Sequence, residues 1–258
     1  MADTEYLAKP PGACCREGHI HEGEPRGSIE TVLDIKTYVS KPSKPNGHIL
    51  FYFPDIWGFF KNGFLVMDAF ADAGFLVLGM DYFMGDPVWV HRKDDDDKET
   101  EPDFSYEAWK IKHQKFADAH VTYWVDAAKA KYGQADTKYA CVGYCFGGPY
   151  VCNELARGSV QAGAFAHPAF LKEHHFRNIN GPLFLSCAEI DHSFNDEGRR
   201  KAVDIMVAEK KTFQVQLFSK VIHGFALRCN LNDPYERYVK EQSLKGIAEW
   251  CNFWLSKR

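Results

Sequence analysis

The sequence lacks an excess of charge of one sign. Its 258 residues carry a net charge of −4, and acidic and basic side chains are spread along the whole chain. Nucleic acids and anionic membranes attract clustered lysine and arginine, because their phosphate groups are negative. Neither a nucleic acid nor a membrane is therefore expected as a partner.

Long hydrophobic runs and a disulfide framework are also missing. No segment approaches the roughly 18 apolar residues of a membrane-spanning helix, and the opening MADTEYLAKPPGACCREG has no secretory signal pattern. The eight cysteines are not spaced like those of a disulfide scaffold. A cytoplasmic protein whose cysteines are mostly reduced thiols is therefore expected.

What the sequence does contain is enough apolar material for one large core, arranged in alternating strand-like and helix-like segments. Hydrophobic residues make up 45% of the chain, and runs such as HILFYF are typical of strands that are covered on both faces. Strands are predicted over 29–39, 48–53, 75–80, 138–144, 160–167, 182–189 and 212–219. Helices are predicted over 59–74, 105–131, 146–156, 196–210 and 234–256.

This alternation predicts an α/β protein with a mainly parallel central sheet and helices on both faces. Residues 29–258 are expected to form a single domain, preceded by an N-terminal arm, residues 1–28, that packs on it. A polar segment interrupts the pattern and predicts a lid-like loop at about 82–105. In such sheets, active sites lie at the carboxyl ends of the strands.

A cysteine occupies one of these ends, in the sequence GYCFG at 143–147. Asp191 and His223 follow later strands, so the order is Cys145, Asp191, His223, which is the nucleophile, acid, histidine order of α/β-hydrolases. His223 could accept the thiol proton while Asp191 orients the imidazole. The backbone N–H groups of Phe146 and Ile56 are the expected donors to an oxyanion.

Other histidines and cysteines have simpler interpretations. His192 is a rival base, but it neighbours Asp191 and is expected to point elsewhere. Cys14 and Cys15 precede His19 and His21 with a spacing that is not typical of zinc sites. Neither a metal nor a cofactor is therefore predicted. Three further cysteines are expected to be inert thiols of the core: Cys141, Cys152 and Cys187.

Four segments together resemble the dienelactone hydrolase family, α/β-hydrolases with a cysteine nucleophile, over nearly the whole chain. They are GYCFGG, FPDIWG, SCAEIDHSF and VIHGFALR, and the N-terminal PGACCREGHIHEGEPRG is similar to the fungal and yeast branch. The resemblance implies a triad of Cys145, Asp191 and His223. It also implies an acid that restrains the resting cysteine, at the position of Asp55.

The chain departs from the bacterial members where they bind the substrate carboxylate with two arginines. Residues 81–85 contain no arginine, and Arg228 lies near the expected second position but shifted by one residue. A substrate other than the bacterial dienelactone is therefore predicted. The residues considered for substrate contact are Trp57, Tyr82, Phe83, Trp89, His167 and Arg228.

The leading functional hypothesis is hydrolysis of a small ester, lactone or enol-lactone through a thioacyl-enzyme on Cys145. The same triad could serve an acyl transferase, a cyclase or a thioesterase in a biosynthetic pathway. A non-catalytic binding protein with a hydrolase fold is a third hypothesis. The expected partner is the small-molecule substrate, and a homodimer is considered.

Overall fold

A computed structural model describes residues 5–91 and 103–257. Part of the predicted lid-like loop, residues 92–102, lies outside these ranges. The described strands are β1 (Tyr6–Ala8), β2 (Ser28–Val32), β3 (Ile35–Ser40), β4 (Ile49–Phe53), β5 (Leu76–Met80), β6 (Tyr139–Tyr144), β7 (Ala162–Ala166), β8 (Leu171–Lys172), β9 (Leu183–Ile190) and β10 (Phe213–Ile222). The described α-helices are α1 (Lys61–Asp72), α2 (Tyr106–Tyr132), α3 (Gly148–Ala156), α4 (Glu173–Asn178), α5 (Asp196–Ala208), α6 (Phe225–Arg228) and α7 (Pro234–Ser256).

Eight of these strands form one sheet, in the order β10-β9-β7-β6-β4-β5-β3-β2. The strands from β10 to β5 run parallel, whereas β3 is antiparallel to both β5 and β2. β1 and β8 form a separate antiparallel pair. The prediction of a mainly parallel sheet with surrounding helices is confirmed.

Both faces of the sheet carry a hydrophobic core, which explains the apolar runs in its central strands. Every residue of β4 and of β7 is buried. One core packs against α2, α3 and α5, and the other against α1 and α7. Side chains that accept hydrogen bonds from backbone N–H groups start the long helices: Ser105 caps α2, Asn195 caps α5 and Asp233 caps α7.

The prediction of one strand over 29–39 is wrong, because a hairpin divides this segment. Leu33 and Asp34 form a two-residue turn between β2 and β3, with φ angles of +50° and +60°. Two successive positive φ angles are typical of the tight turns that join antiparallel strands. Neither residue is a glycine, so the usual sequence signal of this turn is missing.

The N-terminal segment contacts the rest of the molecule at several points. Its strand β1 pairs with β8, and the N–H of Lys9 donates to the Ser193 carbonyl at 2.9 Å. Farther along, the N–H of His21 donates to the Asn62 side chain on α1 at 2.8 Å. These contacts bring residues 5–21 across the carboxyl end of the sheet. No helix within the two described ranges is long and apolar enough to cross a membrane.

Candidate active site

Cys145 lies on a tight turn between β6 and α3. Its φ is +47°, in the left-handed region that residues with a side chain rarely adopt. One turn of 3₁₀ helix, Cys145–Gly147, leads from the strand into α3. Backbone strain of this kind persists only where the surrounding structure enforces it, as it often does at active sites. The turn places Cys145 at the carboxyl end of the central strands.

Two glycines make this turn possible. A methyl group on Gly143 would overlap the carbonyl group of Gly147, and one on Gly147 would overlap the carbonyl group of Phe53. Backbone carbonyl groups cannot rotate away as a side chain can. The structure therefore confirms that small residues are required on both sides of Cys145.

Asp191 and His223 form a buried hydrogen-bonded pair next to this turn. Nδ1 of His223 lies 2.9 Å from Oδ1 of Asp191, which also accepts the backbone N–H groups of Ser193 and Phe194 at 2.8 and 3.0 Å. Burial alone would raise the pKa of Asp191, but the charge and hydrogen bond of His223 lower it to about 2. Asp191 is therefore ionised at neutral pH and fixes the orientation of the imidazole.

The imidazole of His223 lies close to two thiols. Sγ of Cys145, Sγ of Cys15 and a ring nitrogen of His223 all lie within 4.8 Å of one another, and all three residues are buried. Burial lowers the pKa of His223, but the charges of Asp191 and Cys15 outweigh it and raise this pKa well above its usual value. The structure thus brings together the three residues predicted as a triad and adds a second cysteine.

The two predicted oxyanion donors lie at the same edge of the sheet. β4 pairs with β6 so that Phe53 is opposite Gly143. Ile56 and Phe146 each follow three residues after these positions, and both are fully buried. Because the paired strands end in register, both backbone segments start from the same edge of the sheet.

Asp55 and Arg228 are joined in a buried ion pair, and both side chains are 1% exposed. The other carboxylate oxygen of Asp55 accepts the N–H of Trp57 at 3.0 Å. Arg228 lies over the Trp57 ring at 5.5 Å and donates from Nε to the Glu17 carbonyl at 3.1 Å. Two residues predicted to have separate roles, in restraining Cys145 and in binding substrate, are therefore direct partners.

The four aromatic residues considered for substrate contact fall into two groups. Trp57 and Trp89 line an apolar cavity of about 370 Å³ with residues of the 57–64 segment. Tyr82 and Phe83 are instead fully buried, with ring centroids 5.3 and 5.1 Å from that of Phe146. Tyr82 and Phe83 therefore pack against Phe146, next to Cys145, whereas Trp57 and Trp89 line a cavity.

Two other histidines surround His223. The ring of His167 lies 4.9 Å from that of His223, has no hydrogen-bond partner among the described residues, and burial lowers its pKa well below the usual value. The ring of His192 lies 4.8 Å from that of His223, and its Nε2 accepts the N–H of Gly12 at 3.2 Å. The hydrogen bond to Asp191 thus comes from His223 and not from the rival His192.

The remaining predicted core thiols are buried away from this cluster. Cys141, Cys152 and Cys187 all lie in the hydrophobic core, and burial raises the pKa of each thiol. A raised pKa keeps a thiol protonated and unreactive at neutral pH.

Cys15 is the site residue that the sequence analysis missed. It lies on a short 3₁₀ turn, Ala13–Arg16, of the N-terminal segment, and its carbonyl accepts the Trp57 indole N–H at 2.9 Å. Its Sγ is 3.6 Å from Nε2 of His192. In the sequence, Cys15 is marked only by the Cys14-Cys15 pair, whose nearest histidines are His19 and His21. In the structure its neighbours are instead His192, Cys145 and His223.

Comparisons with known proteins show what the chain is similar to. The model of the "Dienelactone hydrolase family" matches residues 35–254. "Dienlactone hydrolase 1" of Gibberella moniliformis is 42% identical over 263 residues that cover 100% of both chains. "Hydrolase pyvD" of Aspergillus violaceofuscus is 36% identical, with 96% of this chain and 98% of the relative covered.

A solved structure shows the same fold at much lower identity. The putative dienelactone hydrolase from Klebsiella pneumoniae superposes with a TM-score of 0.66 and 11% identity, over 87% of this chain and 97% of that one. The sequence matches therefore identify an α/β-hydrolase enzyme, and the chain belongs to the dienelactone hydrolase family.

Proposed function

We propose that the protein hydrolyses a small ester, lactone or enol-lactone through a thioacyl-enzyme on Cys145. The observation that carries the proposal is the arrangement of Cys145, His223 and Asp191. The cysteine lies on a strained turn with its Sγ within 4.8 Å of an imidazole nitrogen, and Asp191 bonds that imidazole at 2.9 Å. A nucleophile, a base and a group that orients the base are the components of covalent acyl transfer.

The first half of the reaction forms the thioester. His223 takes the thiol proton, Sγ of Cys145 attacks the carbonyl carbon, and the resulting oxyanion accepts the N–H groups of Phe146 and Ile56. His223 then gives its proton to the departing alkoxide as the bond from the acyl carbon to this oxygen breaks. Asp191 remains ionised throughout and stabilises the imidazolium.

The second half releases the acid. His223 removes a proton from water, and the hydroxide attacks the thioester carbonyl. The tetrahedral intermediate expels the Cys145 thiolate, which recovers its proton from His223. One water is consumed, and an acid and an alcohol are produced, or a single hydroxy acid from a lactone. An enol-lactone would give a keto acid instead, because its enol product tautomerises.

The ion pair of Asp55 and Arg228 bears on the substrate class. A carboxylate substrate that used Arg228 would have to compete with Asp55, which already neutralises this guanidinium. Because the displaced Asp55 would then be buried without its cation, such a substrate carries an extra cost. The pairing supports uncharged or weakly polar substrates. Because Arg228 offsets its charge, the proposed restraint of Cys145 by Asp55 is weaker than that of an unpaired carboxylate.

Replacing the nucleophile tests the proposal. Cys145→Ala should reduce the turnover of p-nitrophenyl esters, small lactones and thioesters by about 10³-fold or more, as is usual when a covalent nucleophile is lost. Cys152→Ala, which removes a buried thiol of α3, is the matched control and should keep the wild-type rate. Turnover by Cys145→Ala near the wild-type rate would disprove the mechanism. Transfer of the acyl group to an added amine or alcohol, instead of release of the free acid, would identify an acyl transferase.

A further inference from the structure

The second thiol in the site gives the cluster a property beyond ester hydrolysis. Cys15, Cys145 and His223 come from three distant parts of the chain, yet their ligand atoms lie within 4.8 Å of one another. Nδ1 of His223 is bonded to Asp191, so Nε2 is the ring nitrogen left for the two sulfur atoms. Two thiols and one imidazole nitrogen thus share a buried space.

Two thiolates and an imidazole are a donor set that Zn²⁺ prefers. In a tetrahedral zinc site, Zn–S bonds of about 2.3 Å and Zn–N bonds of about 2.0 Å place neighbouring donors roughly 3.5–3.8 Å apart. Ligand atoms already within 4.8 Å need side-chain shifts of only about 1 Å to reach this geometry.

The surrounding residues hold two of these donors in place. Metal-binding histidines usually donate their other ring N–H to a carboxylate, and His223 does so to Asp191, which is itself fixed by the N–H groups of Ser193 and Phe194. The indole N–H of Trp57 fixes the Cys15 carbonyl at 2.9 Å. The site therefore has the outer hydrogen bonds of a metal centre as well as the ligands.

A second grouping, Asp191, His192 and His223, overlaps with the first. In this second grouping Oδ1 of Asp191 already accepts hydrogen bonds from Ser193, Phe194 and His223, so only Oδ2 could bind a metal. His192 accepts the N–H of Gly12. The thiol-containing group is favoured because its soft donors suit zinc better than a carboxylate does.

We propose that Cys15, Cys145 and His223 bind one Zn²⁺ ion, with a fourth coordination position open to water or an anion. Each thiol binds as the thiolate and releases its proton to the solvent. Since the ion occupies the proposed nucleophile and base, bound zinc also inhibits turnover; this consequence, unlike the binding itself, rests on the proposed function.

Metal titration of the full chain tests the binding without substrate. The reduced protein, in metal-free buffer with a phosphine reductant, should bind one Zn²⁺ per chain in calorimetry. Co²⁺ in its place should give a thiolate-to-cobalt charge-transfer absorption. Cys15→Ser should weaken zinc binding by about 100-fold or more, because losing even an outer hydrogen bond costs about 10–100-fold. Asp191→Asn should weaken it within that smaller range.

The control is Cys152→Ser, which changes a buried thiol outside the cluster and should leave the zinc affinity unchanged. Wild-type affinity in Cys15→Ser, or a cobalt complex without the charge-transfer absorption, would overturn the proposal. The cobalt spectrum needs no variant, so it decides the matter even if Cys15→Ser does not fold. These binding results do not depend on whether the protein is the proposed hydrolase. If zinc inhibits the wild type and Cys15→Ser equally, zinc binds without Cys15 and the proposal is wrong.

Discussion

At the scale of single residues, the geometry of the site depends on two glycines, Gly143 and Gly147, that have no side chain. The two glycines beside Cys145 have no Cβ, and backbone carbonyl groups lie where a Cβ would be. The strained turn at Cys145 can therefore form only with glycine at both positions. The sequence pattern G-x-C-x-G predicted this requirement, because a sharp strand-to-helix turn needs small neighbours. What the pattern could not supply is which backbone atoms come close, since Phe53 belongs to a different strand.

Gly147→Ala should therefore damage both stability and activity. Its methyl group would overlap the Phe53 carbonyl, and relief would require the turn to move, so we expect the free energy of unfolding to fall by about 1–3 kcal/mol. Urea denaturation measures this change, and ester turnover should fall with it because Cys145 moves.

Gly63→Ala is the matched control for this substitution. Gly63 lies in α1, where an added methyl group would meet its nearest neighbours at 3.5 Å, an ordinary contact distance. Its free energy of unfolding should be unchanged or should rise by less than about 1 kcal/mol. Equal destabilisation by the two substitutions would show that the close approach at Gly147 is not responsible.

The sequence predicted the site residues that follow strands but not those that reach the site through contacts between distant parts of the chain. Cys145, Asp191 and His223 could be identified because each directly follows a strand, and parallel strands end at one edge of the sheet. Cys15 follows no strand of that sheet, so its position beside Cys145 had no local signal. The ion pair of Asp55 with Arg228 could not be predicted for the same reason. Asp55 follows β4 and Arg228 lies on α6, far away in the sequence.

At the scale of elements, the N-terminal segment depends on one side chain of α1. Asn62 is fully buried and accepts the N–H of His21 at 2.8 Å. Its amide group donates to the carbonyls of His19 and Leu227, each at 2.8 Å. One asparagine therefore ties the N-terminal segment both to α1 and to α6, close to His223.

Asn62→Ala should loosen this attachment. Two buried backbone groups and the part-buried carbonyl of His19 would lose their partner, and we expect the free energy of unfolding to fall by about 2–3 kcal/mol. Amide hydrogen exchange should rise over residues 5–21 more than in the central strands. Asn252→Ala is the control, because Asn252 bonds Asn46 and the Ala73 carbonyl and does not contact this segment. Unchanged exchange over 5–21 in Asn62→Ala would contradict this account.

The elements themselves were largely predictable, and the exceptions have physical causes. The buried strands β4, β5, β6, β7 and β9 carry apolar runs and the long helices carry periodic patterns, so their predicted and observed bounds differ by few residues. The hairpin of β2 and β3 was missed because Leu33 and Asp34 adopt positive φ angles without a glycine. The short β1 and β8 were missed because so few residues carry no periodicity, and only their pairing makes them strands.

At the scale of the whole molecule, the response to acid should be governed partly by a buried histidine. His21 is 5% exposed, and its Nε2 lies 2.9 Å from the Cys229 carbonyl. Burial is the main cause that lowers its pKa to about 4, and the nearby charges of Lys240 and His19 act in the same direction. The folded protein therefore holds His21 neutral at a pH where the unfolded chain binds a proton.

The sign of the effect follows from this difference in proton binding. Between about pH 6.5, the unfolded pKa, and pH 4, the folded one, the unfolded state carries more protons, so stability falls as the pH falls. Because one pKa unit corresponds to about 1.4 kcal/mol, the full shift costs on the order of 3 kcal/mol at pH 4 and nothing at pH 7. Urea denaturation of His21→Asn should show a smaller loss of stability over this range than the wild type. His120→Gln, at an exposed position of α2, is the control, and its free energy of unfolding should vary with pH as in the wild type. If His21→Asn also loses as much stability as the wild type between pH 7 and pH 4, the buried imidazole is not the cause.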